Sequence, residues 1–340
     1  MIYLNNIEKT IHKPAATSLD PIAPDRVKEL AARLFNVKKP ENIYLTAGGG
    51  QAMEAALRSY VEEGSCVITT DLEQGDTYKI LEQLKAKVTC LESDAYFRPA
   101  YDKLEELIGE DTQAIVCAHG CSATGNVVDL ERICAIARRH NIPVIADGRL
   151  TAGAVDINLE AMGADVFCFT GEKMLMGPEG IGGICLKDSM DSEKLEKVLA
   201  ESADRKLCSD ARQTGVFPNQ LAINAFAASL EFILDRGIYG VTMLPHRLAK
   251  RFFESTKGMT PVTVHGDYGC GDRLPVVSIT VKNFTAEEIK AYMREQGILI
   301  DTEKGMARFS FGYFNDRPQV KETVQRLLDM LEIDDPYLLP

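Results

Sequence analysis

The chain has 340 residues, a net charge of −12 at pH 7 and an apolar fraction of 45%. This length suits one large domain with a second, smaller one, and the composition is that of an ordinary globular protein. The negative charge argues against a nucleic-acid partner, because binding phosphates needs a basic face. The apolar runs are much shorter than a membrane span and the N-terminus has no signal-peptide pattern, so we expect a cytoplasmic protein without membrane contact.

The chain has nine cysteines, and most of them lie inside apolar, strand-like runs. No two of them form a CxxC pair, which would have suggested a metal or redox site. We therefore expect buried, reduced thiols and no structural metal.

The first two thirds of the chain alternate strand and helix patterns. Short β-rich runs predict strands at Ile43–Thr46, Cys66–Thr70, Lys87–Leu91, Ala114–Cys117, Ile142–Asp147, Val166–Thr170 and Gly182–Leu186. Apolar residues at helical spacing predict helices at Gln51–Tyr60, Thr77–Leu84, Tyr101–Ile108 and Leu130–His140. Such alternation is typical of an α/β fold, with a mostly parallel sheet covered by helices on both faces.

From about residue 219 the pattern changes. Two long helices are predicted at Gln220–Leu234 and Leu244–Ser255. Strands and helices then alternate again over Val276–Val281, Glu287–Gln296, Ile298–Asp301, Ala307–Phe311 and Val320–Leu331. This part of the chain predicts a compact α+β unit, joined to the rest through the two helices.

Three predicted strands of the large sheet lead into residues that could bind a ligand or take part in a reaction. In open α/β sheets, ligands lie beyond the carboxyl ends of the strands. The first strand is followed by a glycine run that opens a helix, and the others by Asp147 and Lys173. Alone, each could be a plain turn, a helix cap or a solvated lysine. Together, a phosphate cradle, a carboxylate for the ring nitrogen and a lysine for the aldehyde are the three anchors of pyridoxal phosphate.

Three motifs resemble the signature of class V aminotransferases, namely DGRLTAG at 147–153, FTGEK at 169–173 and GPEGIGG at 177–183. Within that family the chain is most similar to the cysteine desulfurase and selenocysteine lyase branch, from residues 1–6 to 308–315. The resemblance implies the pyridoxal-phosphate-dependent transferase fold of type I, with a large, mostly parallel seven-stranded sheet domain and a small α+β C-terminal domain. We assign residues 15–235 to the large domain and 236–340 to the small one, with residues 1–14 as an N-terminal arm.

The resemblance also implies roles for single residues. Lys173 would hold the cofactor and move the substrate α-proton, and Asp147 would pair with the ring nitrogen. The positions that bind the cofactor phosphate fall on Gly49, Gly50 and Thr170. Arg308 matches the arginine that grips the substrate α-carboxylate, a task that suits the fork of a guanidinium.

Several positions depart from the family pattern. Gln74 stands where the family has a histidine over the cofactor ring, and an amide cannot exchange protons near neutral pH as imidazole does. Ser122 replaces an asparagine of the desulfurases. Leu150 replaces a glutamine that bonds the ring hydroxyl, for which Arg149 is an alternative donor. Glu172 replaces a histidine, and we expect its carboxylate to face away from the phosphate that it would repel.

The largest departure concerns the sulfur-accepting cysteine. Desulfurases carry it on a mobile loop, and this chain crosses the same gap with residues 301–305, which contain no cysteine. Such an enzyme needs a thiolate to take the sulfur, and only Cys208 and Cys270 lie in polar surroundings that suit a substitute. Residues 203–210 also lack the Gly-Thr-Gly segment by which a neighbouring subunit of the family touches the phosphate.

Three functional hypotheses remain open. The first is a lyase that acts on a small amino acid and releases sulfide or selenide without an enzyme persulfide. The second is an aminotransferase, and the third is a scaffold protein whose site has decayed. We also expect a homodimer, and a protein that accepts sulfur or selenium as a further partner.

Overall fold

The computed structural model describes residues 1–10, 21–205, 220–269 and 272–333. The strands within these residues are β1 (Ile2–Tyr3), β2 (Ile43–Thr46), β3 (Cys66–Thr70), β4 (Lys87–Leu91), β5 (Thr112–Ala118), β6 (Val144–Asp147), β7 (Val166–Thr170), β8 (Gly182–Leu186), β9 (Val262–His265), β10 (Val276–Val281), β11 (Ile298–Leu299), β12 (Asp301–Glu303) and β13 (Met306–Ser310). The α-helices are α1 (Pro24–Phe35), α2 (Gly49–Tyr60), α3 (Gly75–Gln83), α4 (Tyr101–Leu107), α5 (Leu130–Arg139), α6 (Leu159–Met162), α7 (Ser192–Arg205), α8 (Gln220–Arg236), α9 (Ile238–Thr256), α10 (Ala286–Glu295) and α11 (Arg317–Leu331).

Seven strands form the central sheet, in the order β2-β8-β7-β6-β5-β3-β4. Of these seven, only β8 runs antiparallel to its neighbours. Strands β6, β7 and β8 are buried over their whole length, as expected for a parallel sheet covered on both faces. The predicted α/β fold with a mostly parallel seven-stranded sheet is therefore confirmed.

The C-terminal part of the chain builds its own sheet and core. Strands β12, β13, β10 and β9 form an antiparallel sheet in that order. Its apolar face packs with residues of α9, α10 and α11, including Phe252, Ile289 and Val324. Strand β1 joins this part by pairing in parallel with β11. The boundary at residue 235 between the two domains stays a prediction.

Most predicted boundaries lie within two residues of the observed ones, but the C-terminal part needs two corrections. The predicted strand Ile298–Asp301 is two strands, because β11 pairs with β1 while β12 turns to pair with β13. The predicted helix Leu244–Ser255 begins six residues earlier, at Ile238, and continues through Pro245. Proline usually marks a helix start, which is why the pattern hid the first two turns.

The N-terminal residues are fixed to β13. The side-chain amide of Asn6 donates to the backbone oxygen of Ser310 at 2.9 Å and to Asn315 Oδ1 at 3.0 Å. The backbone N–H of Ile7 donates to Ser310 Oγ at 2.9 Å. These bonds hold the turn that carries Glu8.

No helix in the described ranges is long and apolar enough to cross a membrane.

Gly148, directly after β6, is required by a close contact. A Cβ atom at this position would lie 1.9 Å from Phe167 Cζ, and Phe167 is buried. We therefore expect Gly148→Ala to lower the free energy of unfolding by about 1–3 kcal/mol, the usual cost of overpacking a core. Gly50→Ala is the control, because a Cβ there meets nothing within 4 Å. Urea unfolding followed by circular dichroism compares the two variants, and an unchanged Gly148→Ala protein would contradict the prediction.

Candidate active site

The candidate site lies at the carboxyl edge of the central sheet. Strand β6 ends at Asp147 and β7 ends at Thr170, three residues before Lys173. Strand β2 runs in the same direction as β7 and leads through Gly48 into the first turn of α2. The parallel topology thus brings residues that are far apart in the chain to one edge.

Lys173 is half-buried in the loop after β7. Burial lowers the pKa of its ammonium group, and the carboxylates of Glu8 and Asp147 oppose that shift. Within the described part of the chain, no hydrogen bond or ion pair holds this ammonium group. A lysine with a lowered pKa and no partner can lose its proton and attack an aldehyde.

Asp147 is buried and accepts four hydrogen bonds. Arg149 supplies three of them, from its backbone N–H at 3.0 Å and its Nε at 2.8 Å to Oδ1, and from its Nη2 at 2.6 Å to Oδ2. The fourth donor is Gln74 Nε2, at 3.2 Å from Oδ2. A carboxylate has about four lone-pair sites, so these donors saturate Asp147.

Arg149 links Asp147 to a second carboxylate. Its Nη1 and Nη2 both donate to Asp76, the latter at 3.0 Å, and Nη2 also lies 3.3 Å from Thr77 Oγ1. Arg149 is only 5% exposed. Burial acts against its charge, but Asp147 and Asp76 raise the pKa of Arg149 further above its usual range. The sequence analysis considered Arg149 only as a donor to the ring hydroxyl and missed this ion pair.

Gly48 and Gly49 form a tight entry into α2. Gly48 has φ 139°, a conformation that favours glycine. A Cβ on Gly49 would lie 2.7 Å from both Arg149 Cδ and Thr170 Cβ, whereas Gly50 is open. The backbone N–H of Gly49 points to Thr170 Oγ1 at 3.3 Å. The N-terminus of a helix offers free backbone N–H groups, and the open space beside Gly50 leaves room for an anion such as phosphate.

The expectation that Glu172 faces away from this cradle is wrong. The hydroxyl of Thr170 donates to Glu172 Oε2, so the carboxylate lies at the entry of α2. The physical reason is local, because a hydroxyl beside a helix N-terminus stabilises any nearby anion, including one from the chain itself.

Gln74 and Glu73 lie in the loop between β3 and α3. Gln74 contacts Asp147 through its amide, as described above, and its backbone N–H donates to Glu73 Oε1 at 2.8 Å. Desolvation, and then the charge of Asp147, raise the pKa of buried Glu73 to about 8. Glu73 is therefore harder to ionise than an ordinary carboxyl group, which limits the negative charge beside Asp147.

Arg308 is 1% exposed and reaches the loop after β5, where its Nη1 donates to the backbone oxygen of Ser122 at 3.0 Å. Three carboxylates of the chain surround its guanidinium: Glu8 contacts Nη2, Asp301 lies 3.3 Å from Nη2, and Glu303 lies 3.5 Å from Nη1. Only Nε has no acceptor among the described residues. Arg308 thus binds carboxylates, and all of them belong to the chain itself.

Glu8 is a site residue that sequence reasoning missed. Its side chain is 42% exposed, contacts Arg308 and acts on the pKa of Lys173. Glu8 therefore pairs with the predicted substrate arginine and is near enough to the predicted cofactor lysine to act on its pKa. The motif-based analysis had no signal for it, because the turn at residues 5–8 reaches the site only through its bonds to Ser310.

Strands β12 and β13 are joined by a two-residue turn. Both turn residues, Lys304 and Gly305, have positive φ values of 48° and 76°, as in a tight hairpin. Lys304 Nζ donates to the backbone oxygen of Asp71 at 2.9 Å.

The two candidates for a sulfur-accepting cysteine, Cys208 and Cys270, both lie outside the described residues. Within the described ranges, no group of three or more His, Cys, Asp or Glu side chains could hold a metal ion.

The model of the family described as aminotransferase class-V matches residues 3–322. The chain belongs to this family. It is therefore a pyridoxal-phosphate-dependent enzyme, and the predicted cofactor is confirmed. The residues present fit this cofactor, because the site has a cradle that a Cβ would fill, a buried carboxylate and a lysine without a partner among the described residues.

Similar proteins carry one recurring name. A probable cysteine desulfurase of Halalkalibacterium halodurans is 23% identical over 88% of this chain and 76% of its own length. The cysteine desulfurase IscS of Vibrio vulnificus is 25% identical over 93% of this chain and 84% of its own length. The crystal structure of the Escherichia coli cysteine desulfurase CsdA superposes with a TM-score of 0.79 at 18% identity, covering 97% of this chain and 94% of that one. The predicted resemblance to the cysteine desulfurase branch is thus confirmed.

Proposed function

We propose that this enzyme is a lyase that acts on a small amino acid and cleaves a carbon–sulfur or carbon–selenium bond. The observation that carries the proposal is Lys173, half-buried with a lowered pKa, on the same sheet edge as Asp147. The bound cofactor supplies an electron sink for the bond changes at the substrate α-carbon. The names of the relatives direct the proposal to sulfur-containing amino acids.

The chain's own residues have separate tasks in this proposal. The Lys173 amine would hold the cofactor and, as a free amine, would take the substrate α-proton. Gly49, Gly50 and Thr170 receive the phosphate, and Asp147 holds the positive charge of the ring nitrogen. Gln74, on the loop after β3, and Ser122, on the loop after β5, would complete the proposed cofactor contacts. Arg308 grips the substrate carboxylate at the place where it now grips Glu8.

The short turn at Lys304 and Gly305 supports release of the sulfur without an enzyme persulfide. Residues 301–305 contain no cysteine that could attack it. In a β-elimination the α-proton leaves, the C–S bond breaks and sulfur departs as sulfide with the bonding electrons. Water then hydrolyses the remaining fragment, so that cysteine and water together give pyruvate, ammonia and sulfide. A structural neighbour at 18% identity and TM-score 0.78 is the cystine C-S lyase C-DES, solved with its reaction product cysteine persulfide.

Product analysis tests the proposal. The purified enzyme with pyridoxal phosphate is mixed separately with L-cysteine, L-cystine, L-selenocysteine and L-alanine. A lyase forms pyruvate together with sulfide, persulfide or selenide. A class V aminotransferase, which the family name equally allows, forms a keto acid only when a second keto acid is added as acceptor. If every amino acid left both the products and the cofactor absorbance unchanged, the proposal would be wrong.

We further propose a cytoplasmic homodimer whose released sulfide or selenide is taken up by an acceptor protein. The dimer is inferred from the family resemblance, because the sites of that family lie near a two-fold interface, although residues 203–210 lack the family's Gly-Thr-Gly segment. Small-angle scattering tests it, and a monomer with full cofactor binding would contradict it. An added acceptor protein that neither binds the enzyme nor lowers the amount of free sulfide that accumulates would argue against this partner.

Glu8 occupies the guanidinium that the substrate carboxylate needs, so it competes with the substrate. We expect Glu8→Gln to lower KM about fivefold with little change in kcat, since a half-exposed ion pair is worth roughly 1 kcal/mol. The matched control is Glu63→Gln, which removes a carboxylate from an exposed ion pair with Lys85. A higher KM in Glu8→Gln than in the control would mean that Glu8 helps to bind the substrate.

A further inference from the structure

Both ends of the cofactor site hold charges that belong to the chain. At the ring-nitrogen end, the cationic guanidinium of Arg149 bonds both oxygens of Asp147. At the phosphate end, the anionic carboxylate of Glu172 accepts the hydroxyl of Thr170 beside the first turn of α2. A cation at the carboxylate and an anion at the cradle match the two charged ends of pyridoxal phosphate in the sign of their charge.

We propose that Arg149 and Glu172 are further residues of the cofactor site, which compete with the ring nitrogen and the phosphate of the cofactor for Asp147 and Thr170. The proposal rests on the proposed function only for the cofactor contacts of Lys173, Asp147 and Thr170. Binding is then an exchange of charges, in which the ring nitrogen replaces Arg149 and the phosphate replaces Glu172.

The exchange at Asp147 follows from the number of its hydrogen bonds. Its carboxylate accepts four, three of them from Arg149, so a protonated ring nitrogen can bind only if a donor leaves. Arg149 can release Asp147 without losing all its partners, because Nη1 and Nη2 also bond Asp76. Asp76 is 48% exposed at its side chain, which gives this outer end of the ion pair room to adjust.

The exchange at Thr170 follows from the single proton of a hydroxyl. Thr170 Oγ1 already accepts from the N–H of Gly49, and its one hydrogen goes to Glu172. A threonine hydroxyl can donate only once, so it cannot serve Glu172 and a phosphate oxygen together. The Glu172 carboxylate and the phosphate would also repel each other if both lay beside Thr170 Oγ1. The phosphate therefore has to displace Glu172.

The two halves of the proposal separate experimentally by comparing pyridoxal phosphate with pyridoxal, which has the ring but no phosphate. Equilibrium titrations of the full chain, followed by absorbance, give Kd for both aldehydes in wild type, Glu172→Gln, Arg149→Met, Arg149→Lys and the control Glu63→Gln. We expect Glu172→Gln to lower Kd for pyridoxal phosphate about tenfold and to leave pyridoxal unchanged, a factor that corresponds to roughly 1.4 kcal/mol. Arg149→Met should lower Kd for pyridoxal by a similar factor of about ten.

Pyridoxal phosphate should gain less from Arg149→Met than pyridoxal does, because its phosphate loses a nearby cation. Arg149→Lys keeps the buried charge but lacks the fork, so it should shift Kd in the same direction by less. Circular dichroism shows whether each variant folds. If Arg149→Met does not fold, the Kd of Arg149→Lys for pyridoxal tests the competition at Asp147 instead.

The outcomes distinguish this inference from the proposed function. If wild type binds both aldehydes through Lys173 but Glu172→Gln and Arg149→Met bind equally or more weakly, the inference alone is wrong. If neither wild type nor any variant gives an absorbance change that Lys173→Ala removes, the cofactor roles of the site and the inference both fail. If only the variants bind, the competition is strong enough to block the wild-type site, which supports the inference.

Discussion

Lys173→Ala is expected to abolish covalent binding of the cofactor and to lower kcat/KM by at least about 10³-fold, because the substitution removes the amine nucleophile. Burial lowers the pKa of Lys173, so a larger fraction of its amine is neutral at neutral pH than in a solvated lysine. The rate of cofactor attachment to wild type should therefore rise with pH through a midpoint below that of an ordinary lysine. Stopped-flow absorbance after mixing with pyridoxal phosphate measures this rate.

Lys85→Ala is the matched control for Lys173→Ala. Lys85 is an exposed lysine that pairs with Glu63 on the protein surface. Its loss should leave both the absorbance and kcat/KM unchanged, which excludes adventitious cofactor binding to surface lysines. If Lys173→Ala kept the pH-dependent attachment seen in wild type, another lysine would hold the cofactor.

The sequence predicted the parts of the site that depend on single residues in a known motif. Asp147 and Lys173 follow β6 and β7 as expected, because the carboxyl end of a parallel strand is a position that local patterning defines. The sheet itself was predictable for the same reason, since its strands are short apolar runs between helices.

The pairings between side chains could not be predicted from the sequence. Arg149 lies two residues after Asp147, but only the backbone turn after β6 folds its side chain back onto that carboxylate. Asp76, in the first turn of α3, and Glu8, in the N-terminal turn, are 71 and 165 residues away from Asp147 and Lys173, so nothing local marks them. Glu172 was predicted from electrostatic repulsion by a ligand, and the local hydrogen bond to Thr170 decided its orientation instead.

Among the substitutions considered, Asp147→Asn should lower the free energy of unfolding most, because the four donors around Asp147 all point at a carboxylate. An asparagine offers one acceptor oxygen and turns an NH₂ group toward donors of Arg149 or Gln74. Breaking a buried ion pair usually costs about 3–5 kcal/mol, and the remaining bonds of Arg149 to Asp76 should keep the loss near the lower value. Urea unfolding of the variant without added cofactor measures this loss.

The same substitution should reduce activity through a separate cause. A neutral amide cannot hold the positive charge of the ring nitrogen, so the cofactor becomes a weaker electron sink and kcat should fall by at least about a hundredfold. Asp76→Asn is the control, because it removes the half-exposed outer carboxylate and leaves Asp147 with Arg149. We expect it to cost about 1 kcal/mol or less.

The pH dependence separates the two carboxylates further. Burial opposes ionisation of Asp76, but its bonds to Arg149 lower the pKa of this carboxyl overall. A lowered pKa in the folded state stabilises the protein above the unfolded value of about 4. The difference in unfolding free energy between wild type and Asp76→Asn should therefore shrink below that value and be lost as the pH falls through the lowered folded pKa. If Asp147→Asn were as stable and as active as Asp76→Asn, the ion pair with Arg149 would have no structural role, and Asp147 would not be the partner of the ring nitrogen.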